Sequence, residues 1–440
     1  MASPPIPNPQ SPIPKNDPVF AHFTRLFGPE FGHGKPLGLD PLRAALAALG
    51  DPHTKLPPVI HVAGTNGKGS TIAFMRAIAE AAGLRAHAFT KPHLFRLNER
   101  FLVAGQIVSD DALIAAAERV AAVSAELTQF DAHVAAAFLL FSETPADIVL
   151  LEAGMGGRTD STNVIEKPAL CVITPIGLDH QDALGATLAG VAAHKAGILK
   201  PGVTAIIARQ PDAARPPIED RAAHLHAPLL RQGVEWDAYA HAGSLIVQTQ
   251  SRALDLPLPS LHGAHQLTNA GLACVAMLTW RTFEDQAVRA GVSSARTPAR
   301  LQPLTRGPFS APVRALGGEV WVDAAHNADG AAALAQALRD MQRRRPAHTV
   351  AIIGMLARKQ SDVVLAALAG AVDRVVLVPL QEPHVAPALL AAQAGALGVA
   401  AETASSLPEA MQNAAQSPAP RVLICGSFVI AAEALALENA

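Results

Sequence analysis

Aromatic residues are scarce in this chain: 14 Phe, 3 Trp and 1 Tyr make up 4% of 440 residues, so the 50% hydrophobic content rests mainly on Ala, Leu and Val. A chain this long and this apolar can bury a large core, which excludes a disordered tail and points to roughly two or three domains. Charge is scarce too. Charged residues form 16% of the chain and the formal net charge is -2, without the broad positive field that grips nucleic-acid phosphates, so no nucleic-acid partner is expected. Cys171, Cys274 and Cys425 stand too far apart for a disulfide ladder or a CxxC metal site, which fits a reducing compartment. Long apolar runs are missing. The longest uncharged stretches, around 256–280 and 385–401, are interrupted by His, Gln, Asn or Pro and do not resemble a membrane span, so no membrane partner is expected. The first eighteen residues hold seven prolines and neither the apolar centre of a signal peptide nor the Arg-rich character of a transit peptide. They read as a flexible leader on a cytoplasmic protein.

What the chain does have is alternation. Apolar runs at 58–63, 86–90, 148–153, 170–174 and 203–208 read as strands between longer helical patterns, the signature of a parallel α/β sheet. At 110–128, Leu113, Ala116, Ala117, Val120, Val123 and Leu127 recur at three- and four-residue spacing, the buried stripe of a helix. A helix-like stretch over 265–290 gives way to 291–300, rich in Gly, Ser, Thr and Pro, which reads as a connection between domains. The pattern then restarts, with strand candidates at 319–323, 349–354, 374–379 and 421–426 and helices beginning near Ala328, Asp362, Pro387 and Phe428. The expected division is a leader at 1–18, a catalytic domain at 19–296 and a smaller α/β domain at 297–440, the last of ordinary domain size. The proline-punctuated segment 209–258 yields no clear elements.

The run His61-Val-Ala-Gly-Thr-Asn-Gly-Lys-Gly-Ser-Thr71 follows the first strand and opens an Ala-rich helix. Glycines at 64, 67 and 69 let backbone N–H groups approach an anion, the helix N-terminus adds positive potential, and Lys68 supplies a full charge. The Walker pattern is not matched literally, because Val62 stands where its first Gly belongs and Gly69 separates Lys68 from Ser70. A Gly-rich turn can be purely structural. Here three glycines, a lysine and hydroxyls converge after a strand, which favours a phosphate.

This loop, GTNGKGS, resembles the nucleotide loop of the folylpolyglutamate synthase family, relatives of the Mur ligases. The likeness continues in order: Pro92-His-Leu with Asn98-Glu-Arg100, LLEAGMGGRTDSTNV from Leu150, IGLDHQDALGATL from Ile176, HKAGILKPG from His194, HGAHQLTNA from His262 and DAAHNADG from Asp323. GML at Gly354 and GSF at Gly426 complete it, so it covers nearly everything after the leader. The resemblance implies an α/β fold, a Mur-ligase-like P-loop nucleotide-binding domain with a parallel-rich sheet and a smaller Rossmann-like glutamate-ligase domain. It also implies an ATP- and Mg²⁺-dependent monomeric ligase that joins L-glutamate to dihydropteroate and to reduced folates through an acyl phosphate.

It assigns the nucleotide to Gly64, Thr65, Asn66, Gly67, Lys68, Gly69 and Ser70, and further to Asn269, Arg300, Asp323 and His326. Glu152, His180 and Ser70 would hold the metal, joined by Lys195, which in the family can be carbamylated into a carboxylate-like ligand. Read alone, Glu152 is equally a strand-end carboxylate, His180 a loop histidine satisfied by water, and Lys195 a cation offsetting a helix C-terminus. His194 replaces the family's usual Glu. Phe130, in Thr128-Gln-Phe-Asp131, and Asp160 are matched to the pterin pocket; their plain alternatives are a core ring and a turn carboxylate. Lys68, Lys195 and His326 are the catalytic candidates, His326 as proton acceptor by proximity alone, and Asn327 beside it serves equally as a helix cap.

Two departures stand out. Lys91 occupies the place of a serine whose hydroxyl contributes to the family's metal site, and a protonated lysine has no acceptor to offer Mg²⁺. Asp131 is one methylene shorter than the family's Glu. These leave the number of ions open and keep two alternatives in view, an extension-only folylpolyglutamate synthase and an inactive nucleotide-binding homologue.

Overall fold

A computed structural model describes residues 17–30, 38–124, 126–179 and 181–440. They fall into two compact units, a larger one of Asn16–Ser260 with Gln266–Arg296, and a smaller one of Thr297–Ala440 with Leu261–His265. Most of the expected leader lies outside the described residues. Its last two positions do not: Asp17 caps, and Pro18 begins, the helix Pro18–Phe27.

The larger unit is built on eight strands, β1 (Val59–Ala63), β2 (Ala86–Phe89), β3 (Phe101–Val103), β4 (Gln106–Ile107), β5 (Ile148–Glu152), β6 (Leu170–Ile173), β7 (Ala205–Ile207) and β8 (Leu229–Arg231). Their order is β4-β3-β2-β5-β1-β6-β7-β8. From β2 to β8 every neighbouring pair is parallel, whereas β3 and β4 form an antiparallel edge. The central strands β1, β2, β5 and β6 are buried along their whole length, which is why each is a continuous apolar run with little alternation. From β1 the chain returns through the helix Lys68–Ala81 to β2 on one side, while β6 lies on the other. Ligands of open α/β sheets bind outside the carboxyl ends of strands at such a reversal.

The amphipathic stripe predicted over 110–128 is divided. The helix Asp110–Val123, capped by Ser109, ends at Ser124, and Thr128 caps a second helix, Gln129–Glu143. Thr128 Oγ1 accepts from the Asp131 N–H and Asp131 Oδ2 accepts from the Thr128 N–H, a reciprocal capping box. The stretch expected to be one helix over 265–290 is likewise two, His265–Trp280 and Asp285–Ser294, so 291–294 are helical and the loop begins later.

Segment 209–258 holds a helix, Arg215–His224, and a separate antiparallel sheet of β9 (Trp236–His241), β10 (Ser244–Thr249) and β11 (Ala253–Pro257). β9 and β10 are joined by Ala242-Gly243, both at positive φ, as a two-residue hairpin requires. Alanine in the first of these positions conceals the turn from sequence reading.

The smaller unit carries β12 (Gln302–Leu304), β13 (Glu319–Val322), β14 (Thr349–Ile353), β15 (Arg374–Leu377), β16 (Ala400–Thr403) and β17 (Arg421–Cys425), in the order β12-β13-β17-β14-β15-β16. All pairs are parallel except β12 with β13. The four strands expected there are present. The two edges, β12 and β16, were not expected, being short and, in β16, largely exposed. The three cysteines are free and buried, and burial pushes the Cys171 and Cys274 thiols up to about 12. Among the described residues no helix is long and apolar enough to cross a membrane.

Candidate functional site

The loop after β1 is fastened to the loop after β6. The N–H groups of Thr65 and Asn66 both donate to the Pro175 carbonyl, at 3.1 and 3.3 Å, and the Thr65 hydroxyl donates to the Gly177 carbonyl while accepting from the Gly177 N–H. Gly64, at φ 146°, presses against Thr174; a Cβ there would lie 1.8 Å from Oγ1 of that residue and 3.0 Å from its backbone N, so only glycine fits. Those two N–H groups are engaged. The start of the helix Lys68–Ala81 is what could hold an anion, since its first turn has N–H groups without intrahelical acceptors and its N-cap, Gly67, brings no capping side chain. Lys68 Nζ lies over the same loop, donating to the Gly64 and Thr65 carbonyls at 3.1 and 3.2 Å. Asn269 packs against Gly67 and donates to Gln266 Oε1.

Glu152 ends β5, next to β1, and is only 3% exposed; its Oε1 lies 3.8 Å from Lys68 Nζ and its Oε2 accepts the Lys91 N–H at 3.2 Å. Lys195 enters from the end of the helix Leu188–Lys195 and donates to the Gly64 carbonyl at 2.7 Å. That position is held by the glycine-rich segment: the Arg158 N–H donates to the His194 carbonyl and Asn163 Nδ2 to the Gly197 carbonyl. Burial, with Lys68 adding repulsion, pushes the Lys195 ammonium down to about 7, against the pull of Asp179 and Asp160. Much of Lys195 is then a neutral amine near neutral pH. His180 lies outside the described residues, and among those described no three His, Cys, Asp or Glu side chains gather as a metal cage. A carboxylate and a hydroxyl, Glu152 and the buried Ser70, suit a hard cation that takes most of its ligands from phosphate and water.

Phe130 and Asp160 meet at Gly154, where a Cβ would fall 2.3 Å from the Phe130 ring and 3.1 Å from Asp160 Oδ2. Asp160 does hold its own turn: Oδ2 accepts the Met155 N–H at 2.6 Å, and Oδ1 accepts both the N–H and the hydroxyl of Thr162. Because the Thr162 hydroxyl gives its one proton to Asp160, it must accept from His61 Nε2, 2.8 Å away. His61 is fully buried, and burial lowers it to about 3, so it is a neutral ring with the proton on Nε2. Asp131 reaches the same segment, accepting the Ser161 hydroxyl at 2.6 Å, so the shorter acid still links this turn to the helix that carries Phe130.

Sequence reading missed an ion pair nearby. Arg100 grips Glu30 with two bonds of 2.8 and 3.0 Å and donates through Nε to His93 Nδ1. Despite the opposing cost of burial, this guanidinium holds the Glu30 carboxyl down at about 2. Arg100 stands in the Asn-Glu-Arg motif, but nothing local marks its partner seventy residues away.

In the smaller unit, Asp323 follows β13 and is buried. Its oxygens accept the N–H groups of Leu301 and Ala325, each at 2.7 Å, and burial raises its carboxyl despite Arg300 and His265. Arg300 lies between Ala299 and Leu301, which hold φ of 55° and 43°, a strained backbone pinned by that carboxylate. The Arg300 guanidinium lies over Phe428, 5.1 Å from the ring centroid, and His326 packs on the same ring. Phe428 is a second residue not anticipated; the Gly426-Ser-Phe tripeptide was its signal. His326 Nδ1 donates to the Ala324 carbonyl at 2.9 Å, which directs Nε2 to the acceptor role when the ring is neutral. Asn327 is a helix cap, with Oδ1 accepting the Gly330 N–H at 2.9 Å.

Comparison with known proteins finds two family domains in this chain. The Mur ligase middle domain matches residues 62–277, and the Mur ligase glutamate ligase domain matches residues 312–428. A dihydrofolate synthase/folylpolyglutamate synthase of Mycobacterium tuberculosis is 33% identical over 78% of this chain and 74% of its own. The structure of E. coli FolC in complex with DHPP and ADP superposes with a TM-score of 0.83 at 30% identity, covering 96% of each chain. That of the bifunctional enzyme from Yersinia pestis with AMPPNP and a Mn ion superposes at 0.82 with 31% identity, over 98% of this chain and 99% of that one. With a phosphate loop, a strand-end carboxylate and a buried lysine at neighbouring strand ends, and with these likenesses over its length, the chain belongs to the dihydrofolate synthase/folylpolyglutamate synthase family of Mur-type ligases.

Proposed function

We propose that the protein joins L-glutamate to dihydropteroate, and further glutamates to reduced folates, at the expense of ATP. The acid's carboxylate attacks the γ-phosphorus, the bond to the β,γ-bridging oxygen breaks, and an acyl phosphate and ADP result. The glutamate amine then attacks the acyl carbon, inorganic phosphate leaves, and the amine proton passes to an acceptor. The observation that carries this reading is the row at the carboxyl ends of β2, β5 and β1: Lys91, Glu152 and the phosphate loop, with Phe130 and Asp160 beside them.

In this reading the first turn of the helix Lys68–Ala81 and Lys68 itself neutralise the phosphate charge that develops during transfer, a matter of positioning and electrostatics. Glu152 and Ser70, with His180, would hold Mg²⁺, which supplies charge neutralisation at the transferred phosphoryl group when bound. Lys195, with its depressed ammonium, is suited to carbamylation, since the neutral amine is the form that adds to CO₂, losing a proton as the N–C bond forms. Arg300 and His326 are assigned to the nucleotide, with Asp323 holding the turn that carries Arg300 and with His326 as the candidate proton acceptor. The α-amino group of glutamate has to lose a proton, because such groups have a pKa of about 8 and are mostly charged at neutral pH. Residues 19–296 would then form the nucleotide- and acid-binding domain and 297–440 the glutamate-ligase domain.

The test is a product assay with purified protein, ATP, Mg²⁺ and L-glutamate, offering dihydropteroate and tetrahydrofolate separately and weighing the products by mass spectrometry. Both acids are expected to gain one glutamate mass. Gain with tetrahydrofolate alone makes this an extension-only enzyme; gain with neither, while ATP still binds, makes it an inactive homologue.

A further inference from the structure

Lys91 has two ends with different neighbours. Its backbone N–H is fixed on Glu152 Oε2, beside the phosphate loop. Its side chain reaches Phe130, with Nζ 4.8 Å from the ring centroid. The amine is thus a fitting of the Phe130 surface, and its position over a ring face is favourable for a cation.

Burial pushes the Lys91 ammonium down, while Glu30 and Asp160 attract it and Arg100 and Lys68 repel it. Neither acid pairs with it: among the described residues Lys91 Nζ forms no ion pair. Glu30 is taken by the two-pronged bond to Arg100, and Asp160 is occupied by Met155 and Thr162. His93, also close to Arg100, already accepts from that guanidinium through Nδ1. A partly buried donor with three hydrogens faces an aromatic ring and lacks a strong acceptor, a situation a ligand can relieve.

We propose that Lys91 is a specificity-determining residue for the acid substrate, donating to an acceptor on the rim of a flat heterocycle that packs at Phe130. The inference rests on the reading that the surface of Phe130, Gly154 and Asp160 receives the acid. Gly154 keeps Phe130 and Asp160 together there, since any side chain would drive Phe130 out of place. The group selected is a planar ring with carbonyl or ring-nitrogen acceptors, as a pteridine has, and an acid built on a benzene ring alone gains nothing from the lysine.

The experiment compares the wild type with Lys91→Met, which keeps the stem without a donor, and Lys91→Arg, which keeps donors. Dihydropteroate binding is measured by calorimetry with ADP and Mg²⁺ present, ADP binding is measured alone, and p-aminobenzoate serves as the acid without a heterocycle. Lys91→Met is expected to weaken dihydropteroate by about tenfold, the loss of one charge-assisted hydrogen bond. ADP affinity stays within about twofold and p-aminobenzoate is unaffected, while Lys91→Arg regains most of the loss. If Lys91→Met does not melt like the wild type, Lys91→Leu, which also lacks a donor, replaces it in the same comparison. Undiminished dihydropteroate binding overturns the proposal, as does an equal loss of ADP affinity, which would place the amine on the phosphates. A wild type that binds dihydropteroate in a Lys91-dependent way yet forms no product refutes the ligase reading alone; one that binds neither acid overturns both.

Discussion

Glu152 and Asp323 look alike in the sequence: each is a single acid at or just beyond the end of a strand that pairs in parallel, followed by alanine. Their surroundings differ. Asp323 spends both oxygens on backbone N–H groups of its own unit and holds the strained turn that carries Arg300. Glu152 Oε2 accepts the Lys91 N–H, and its Oε1 lies 3.8 Å from the ammonium of Lys68. One acid organises backbone, and the other lies beside the lysine of the glycine-rich loop. Position in a fold nominates a carboxylate; what the nearby main chain already takes from it decides its work.

That contrast can be pressed hardest at Lys68. Lys68→Ala should lower glutamate-dependent ADP release by about a thousandfold while the melting temperature stays put, because the loss is one of charge stabilisation during transfer. Near-normal turnover would remove the lysine from the chemistry. Glu152→Gln should follow with a loss of about a hundredfold in turnover and a raised Mg²⁺ requirement, again with the fold intact. Asp323→Ala should behave in the opposite sense, costing about 2 kcal/mol or more in denaturant unfolding because two buried N–H groups lose their acceptor. Equal stability losses in the two acid variants would erase the distinction drawn here.

The smallest effect concerns pH. The folded Lys195 ammonium loses its proton at about 7 and the unfolded one at the ordinary value of 10.5, so between these values the unfolded chain binds more protons. Stability contributed at this position therefore rises with pH across that window and levels off below it. Without metal or bicarbonate, Lys195→Met should flatten that part of the curve of unfolding free energy against pH; an unchanged slope would mean the amine is not held in a depressed state.

The central parallel strands, such as β1, β5, β14 and β17, were legible because burial along their whole length leaves them as nearly unbroken apolar runs, and the loop after β1 because its glycines, lysine and hydroxyls are contiguous. Elements without such a mark were not. β3, β4 and β16 are short edges, and the hairpin of β9 and β10 turns on an alanine at positive φ. Within the candidate site, Asn327 could be read two ways until Gly330 was seen to donate to it, and Asp160 until Thr162 and Met155 were placed. Glu30, paired with Arg100, was invisible since only folding brings the two together. The direction of Lys91 was equally beyond reach: a lysine in place of a serine says that a ligand is lost, not where the new amine goes.

The fastening of Thr65 and Asn66 to Pro175 and Gly177 has a consequence for how the enzyme spends its time. A glycine-rich segment left to itself would sample many shapes, and each arriving nucleotide would have to wait for, and then freeze, the right one. Here the cradle is shaped once, when the chain folds, so turnover after turnover begins from a receptor already cast to its guest.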